Sequence, residues 1–179
     1  MKLKLIQFFF AIFVPVIFLS CGNDDQNPLH KKSAAETNEI IKKQFIRANQ
    51  QLIQKEADEM DYYATSHKLP VIRATSGIRY YVYSHSVKGD SIRTGMEITM
   101  DYNVSLLDGT PCYSSKTEGK KTFIVGREDI ESGIHKGVQY LKRGDRAIFI
   151  IPSALAHGLL GDFKKIPPQM PIVYDVQVY

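Results

Sequence analysis

Ile98, Met100, Tyr102, Val104 and Leu106 alternate without interruption with Thr99, Asp101, Asn103 and Ser105. Apolar side chains at period two, with polar ones between, specify a strand that rests one face on a core and turns the other to water. Asp108-Gly109 ends the strand in a turn. Shorter runs repeat the pattern. Ile78, Tyr80 and Val82 alternate with Arg79, Tyr81 and Tyr83, and Thr122 to Val125 closes at Gly126. Ala147, Phe149 and Ile151 share one face of the run Arg146–Pro152, and Ile172, Tyr174, Val176 and Val178 share one face of Pro171–Tyr179. Only the segment Ile130–Leu141 changes period, placing Ile130, Ile134, Gly137, Val138 and Leu141 on one helical face. Antiparallel strands wrapped around one short helix make an α+β architecture.

Upstream, the period changes again. From Glu36 to about Thr65 the chain has neither Gly nor Pro, and Ile41, Phe45, Ala48 and Leu52 fall on one helical face, which Ile53, Ala57, Met60 and Tyr63 continue less cleanly. We expect that stripe to pack on the helix's own domain, with a dimer through this helix as the alternative. The first residues carry a different signal. Met1-Lys2-Leu3-Lys4 is basic, Leu5 to Leu19 is apolar apart from Gln7, and Ser20-Cys21 precedes an abrupt polar turn. The apolar run is shorter than the roughly 20 residues of a spanning helix and has the flanks of an export signal. The expected organisation is a signal peptide over 1–20, a flexible tether over 21–35, a helix and linker over 36–75, and one domain over 76–179.

Composition removes several classes of function. Of 179 residues, 44% are hydrophobic and 23% charged, as in an ordinary globular domain. The net charge is +4, and two of the basic side chains, Lys2 and Lys4, lie in the leader. That excess is too small and too scattered for a nucleic-acid binder. Two cysteines make no disulfide framework. His30, His67, His85, His135 and His157 show no metal-ligand spacing, so neither a metal nor a cofactor is expected. No phosphate-binding glycine loop and no nucleophile elbow occurs. Cys112 has no basic neighbour fixed beside it in sequence and reads as an inert small apolar residue.

A constellation remains. Ser76-Gly77-Ile78, Met100-Asp101-Tyr102, Leu107-Asp108-Gly109-Thr110, Phe123-Ile124-Val125-Gly126 and Arg143-Gly144-Asp145-Arg146-Ala147 occur in order. They are followed by Leu155-Ala156-His157-Gly158, Ile166-Pro167-Pro168 and Ile172-Val173-Tyr174-Asp175-Val176. As a set, this stretch resembles the FKBP-type peptidyl-prolyl cis-trans isomerases. The leader resembles a bacterial lipobox with Phe18 in place of an aliphatic residue, which implies a lipid on Cys21. The whole layout resembles the gliding-motility-associated FKBP-type lipoproteins of the Bacteroidetes, and Asp24-Asp25 resembles the acidic surface-export signals of that phylum. The location this implies is the cell envelope, at the outer membrane, on its periplasmic or surface face.

The resemblance also implies a site. Tyr102, His157 and Tyr174 take the catalytic positions, and Cys112, Tyr113, Phe123, Ile130, Glu131, Ile134 and Ile166 the substrate-binding ones, Glu131 through its backbone N–H. The departures are specific. Cys112-Tyr113 stands for a Phe-Asp pair, so a ring and a carboxylate are expected to be lost. Lys121 replaces an aromatic wall, Ile134 an indole floor, and His157 a tyrosine. The implied function is membrane-anchored isomerisation of X–Pro segments in exported proteins, needing no cofactor. The alternative is a non-catalytic chaperone or assembly module of the envelope.

Overall fold

The computed structural model describes residues 34–127 and 130–179; the leader, Cys21 and nearly all of the tether lie outside them. The chain divides into compact units Met1–Ile40 and Ile41–Tyr179, and the second holds the sheet and its core. Its elements are helix α1 (Ala34–Ser66, entering from the first unit), β1 (Ile72–Arg73), β2 (Arg79–Ser84), β3 (Glu97–Leu106), β4 (Pro111–Ser114) and α2 (Ser115–Glu118). They continue with β5 (Lys121–Ile124), α3 (Ser132–Gly137), a 3-10 turn (Val138–Tyr140), β6 (Arg146–Ile151) and β7 (Ile172–Val178). The expected α+β arrangement is present, together with a two-residue strand, β1, that no alternation in the sequence announces.

The sheet runs β1-β2-β6-β7-β3-β4, antiparallel throughout. β3 is its spine. One edge pairs with β7 from Met100↔Val178 to Leu106↔Ile172. The other edge is shared, by β5 over Glu97–Met100 and by β4 over Asn103–Ser105. α2 fills the break between β4 and β5, with the Ser114 side chain accepting from the Lys116 N–H as its cap. The alternation read from the sequence holds along β3: Ile98, Met100, Tyr102, Val104 and Leu106 are all buried.

These side chains meet α3 in the concave face of the sheet, where Ile134, Val138, Phe149 and Ile151 are fully buried. The close approach depends on two glycines of α3. A Cβ on Gly133 would stand 2.4 Å from Ile151 Cγ2, and one on Gly137 would stand 3.0 Å from the Phe149 ring. The helical face read from the sequence is therefore correct, but the helix is short and tightens into the 3-10 turn after Gly137.

A second, smaller core lies outside the sheet. Ile150 and Val173, the odd partners of the inward residues, are buried there with Met60 and Ala64 of α1. The expectation for the helix holds only at its C-terminal end, where Met60 is buried and Tyr63 packs beside it. The first part of the stripe does not pack on the domain: Ile41 is 57% and Phe45 71% exposed, Ala48 is exposed and Leu52 half-buried. Only Glu56, Met60 and Ala64, four residues apart, are buried. The sheet's outer face reaches the last turns of α1 and no further.

Polar contacts fix that docking. The Glu56 carboxylate accepts from the Ser153 hydroxyl at 2.5 Å and the Ser153 N–H at 3.0 Å. Arg79, on β2, is 3% exposed. Its guanidinium donates to Asp61 Oδ1 at 2.8 Å, to the Gly77 carbonyl at 2.6 Å and to the Ala57 carbonyl at 3.1 Å. Asp61 also accepts from Arg73. The Arg79 hydrogen bond, chiefly, holds the Asp61 carboxyl below its ordinary value.

Candidate active site

A slot of about 250 Å³ opens on the concave side of the sheet, over α3. β3 supplies Met100 and Tyr102, β4 Tyr113, α2 Glu118, β5 Lys121, and β7 Tyr174. Glu131, just before α3, and His157, Asp162 and Lys164 from the long loop after β6 complete it. The volume is below the roughly 300–1,000 Å³ typical of drug-sized ligands and suits one or two residues of a peptide.

The sequence-predicted residues divide into two layers. Tyr102, Tyr113, Glu131, His157 and Tyr174 line the slot itself. Cys112, Phe123, Ile134 and Ile166, at 3%, 3%, 0% and 3% exposed, do not line it and lie in the core. Ile130 is half-buried against that core and borders an adjoining depression with Lys121, Glu131 and His157. The lining layer is more polar than the motif comparison suggests, because Glu118, Asp162 and Lys164 join it. Nothing in their local spacing points to the slot; the folding of α2 and the 157–166 loop brings them there.

Each phenol of the lining is tied to a carboxylate. Tyr174 donates to Glu131 Oε1 at 2.9 Å, Tyr102 donates to Glu118 Oε2 at 3.2 Å, and Tyr113 donates to Asp162 Oδ2. At the Cys112-Tyr113 positions, expected to lack the Phe ring and the Asp carboxylate, other groups stand nearby. Tyr113 brings its own ring, and Glu118 offers Tyr102 a carboxylate from another element. Burial, then the neighbouring carboxylate, raises all three hydroxyls, Tyr113 to about 12, Tyr174 well above its ordinary value, and Tyr102 in the same direction. They remain neutral donors at physiological pH. Burial likewise raises the Cys112 thiol, which leaves it protonated and inert.

Asp162 organises the loop. Desolvation alone would raise its pKa, but the Tyr113 hydroxyl and the N–H groups of Ile166, Lys164 and Lys165 outweigh it and hold the carboxyl at about 2. Its Oδ1 accepts all three N–H bonds at 2.8–2.9 Å. His157 lies across the slot, its Nε2 3.1 Å from Glu131 Oε1 but off the line of a hydrogen bond. Both His157 Nε2 and Glu131 Oε2 are buried without a hydrogen-bond partner. Buried polar atoms left unpaired are costly, so the slot offers a donor or acceptor at His157 and an acceptor at Glu131 to whatever enters.

Such a slot can hold a short peptide segment between rings and steer it with one hydrogen bond. It has no nucleophile–base pair aimed at a scissile bond. An X–Pro bond rotates over tens of seconds or longer behind a barrier of about 18–20 kcal/mol. Planar amide resonance carries charge separation that twisting removes, so packing between rings destabilises the planar state relative to the twisted one.

Comparison with known proteins agrees with this geometry. The sequence profile described as FKBP-type peptidyl-prolyl cis-trans isomerase matches residues 89–179. The macrophage infectivity potentiator of Trypanosoma cruzi is 30% identical over 166 residues, 91% of this chain and 77% of that protein. The probable FKBP-type peptidyl-prolyl cis-trans isomerase FkpA of Neisseria meningitidis is 34% identical over 125 residues, 69% of this chain and 45% of that protein. Against this FkpA and two from Buchnera aphidicola, the chain spans 45%, 42% and 58% of the relative's length. The crystal structure of FkpA from Escherichia coli superposes with a TM-score of 0.60 at 25% identity, over 83% of this chain and 72% of that one. Profile, relatives and fold agree: the chain belongs to the FKBP-type peptidyl-prolyl cis-trans isomerase family.

Proposed function

We propose that the chain is a peptidyl-prolyl cis-trans isomerase held at the cell envelope by a lipid on Cys21, where it assists the folding of exported proteins. One observation carries the catalytic part: a slot lined by Met100 and the rings of Tyr102, Tyr113 and Tyr174, with a His157 Nε2 that makes no hydrogen bond. In this reading the X–Pro ring packs between those rings, His157 steers a substrate carbonyl, and the Glu131 backbone N–H anchors a second one. The envelope part rests on the order of the leader: basic start, apolar run, Ser20, Cys21. Stable anchoring by lipid takes more than one acyl chain. Among the described residues no helix is long and apolar enough to cross a membrane.

A second reading, a non-catalytic chaperone or assembly module of envelope or gliding machinery, is favoured by the charged rim of Glu118, Lys121, Asp162 and Lys164. Refolding of an exported protein whose slow phase is prolyl isomerisation separates the two. Acceleration of that phase by the chain supports the enzyme; suppressed aggregation at an unchanged rate supports the module. Labelling with a tagged fatty acid tests the anchor, which requires that Cys21→Ala abolish the label.

A further inference from the structure

The slot is not the largest depression in Ile41–Tyr179. A groove of about 870 Å³ opens where the last turns of α1 face the turn after β3 and the Pro168–Met170 stretch; Leu52, Tyr62, Tyr63, Leu107 and Met170 give it an apolar wall. Between groove and slot lies a third depression of about 370 Å³, bordered by residues from Leu160 to Pro168. It shares Lys164 with the slot and Pro168 with the groove. The three are therefore successive stations on one surface path.

The loop between them is apolar where it meets water. Leu159, Leu160 and Phe163 are 68%, 65% and 83% exposed. Phe163 also has φ of +59°, a left-handed conformation that a bulky residue adopts only when its surroundings impose it. The surroundings do so: Asp162 accepts from the three N–H groups that follow Phe163 and from the Tyr113 hydroxyl, and its own N–H donates to the Ile166 carbonyl. The fold thus holds a phenyl ring out in solvent at the lip of the slot. Large apolar side chains held exposed beside a peptide slot mark a binding surface.

We infer that the site takes an extended, apolar polypeptide longer than the X–Pro pair, which leaves the slot across Leu160 and Phe163 and continues into the groove beside α1. The inference rests on the slot being the prolyl site proposed above. Continuity with that slot selects the occupant. An unfolded segment carrying X–Pro uses all three stations, whereas a helix of a second copy would fill the groove and leave the lip in water. The groove's lining carries Lys55 against Glu56, Asp58, Glu59 and Asp108, which disfavours an anionic segment.

The test compares a proline-containing tetrapeptide with a peptide about a dozen residues long that extends it by apolar residues, using the full chain. Partial burial of the Phe163 ring and the groove wall should raise kcat/KM for the longer peptide about tenfold. Phe163→Gly removes the ring and relieves the positive φ. Tyr62→Glu puts a charge in the groove at a position 76% exposed. Each should bring the long-to-short ratio down to within about twofold of one. Equal kcat/KM for the two peptides in the unmodified chain, or an undiminished ratio in both variants, overturns the inference. If neither peptide is turned over, the prolyl reading fails, and fluorescence anisotropy of the long peptide decides the path alone. Affinity weakened in both variants supports it; unchanged affinity refutes it. A dimer that Tyr62→Glu converts to monomer with peptide affinity unchanged assigns the groove to a second copy and also refutes it.

Discussion

Asp61→Ala should strand a buried charge. Arg79 is 3% exposed, and Asp61 is the carboxylate that faces its guanidinium, at 2.8 Å. Removing one partner of a fully buried pair costs about 3–5 kcal/mol, while an exposed pair is worth about 0.2–1 kcal/mol. The Asp61 side chain is 37% exposed, so solvent screening places this pair between those limits, at about 2 kcal/mol. With a urea dependence of about 1–3 kcal/mol per molar, the unfolding midpoint should fall by about 1 M. The double variant Asp61→Ala, Arg79→Met removes the stranded charge together with its partner and should recover at least half of the loss. Acid adds a second check. The Asp61 pKa is depressed from 3.8, so its contribution is complete above that value and is lost as the pH falls through the depressed one. The gap between parent and Asp61→Ala should therefore be constant near neutrality and close only below about pH 4. An unchanged midpoint for Asp61→Ala, or a double variant that loses the sum of the single losses, would refute the reasoning.

Ile151→Ala empties a fully buried position against α3 and should cost about 2–5 kcal/mol by urea denaturation. Gly161→Ala would drive a Cβ to 2.2 Å from the Ile166 carbonyl oxygen at a φ of +68°; it should displace the Asp162 loop, seen as shifted amide resonances at Lys164, Lys165 and Ile166. Lys121→Phe with His157→Tyr restores aromatic surface to the slot lining and should tighten binding of macrolide inhibitors, which titration by intrinsic fluorescence reads directly; the unmodified chain should bind them weakly.

The strands are readable because burial on one face writes itself as period two. All five inward residues of β3 and the inward residues of β7 are where that pattern puts them. β6 is readable only in part. Ile148 and Ile150 break the alternation on its other face, and the reason is tertiary: Ile150 is buried under α1. The helix is likewise visible but its buried face only in part: Met60 continues the apolar stripe, whereas Glu56 is buried for its hydrogen bonds to Ser153. Arg79 reads as an outward strand residue, and its burial is explained by partners that its own strand does not supply: Asp61, eighteen residues earlier, and the Ala57 and Gly77 carbonyls. In the slot, Tyr102, Tyr113, Glu131, His157 and Tyr174 come from motif positions. Glu118, Asp162 and Lys164 escape because their role depends on which phenol or loop amide they meet, and no spacing encodes that.

The central claim, that this slot lowers the barrier to X–Pro rotation, is tested most directly by exchange NMR on a Leu-Pro tetrapeptide mixed with the full chain. The account predicts that cis–trans exchange, uncatalysed over tens of seconds or longer, becomes faster than about one per second. Peptide resonances that shift on binding to the slot while exchange stays at the uncatalysed rate would contradict it.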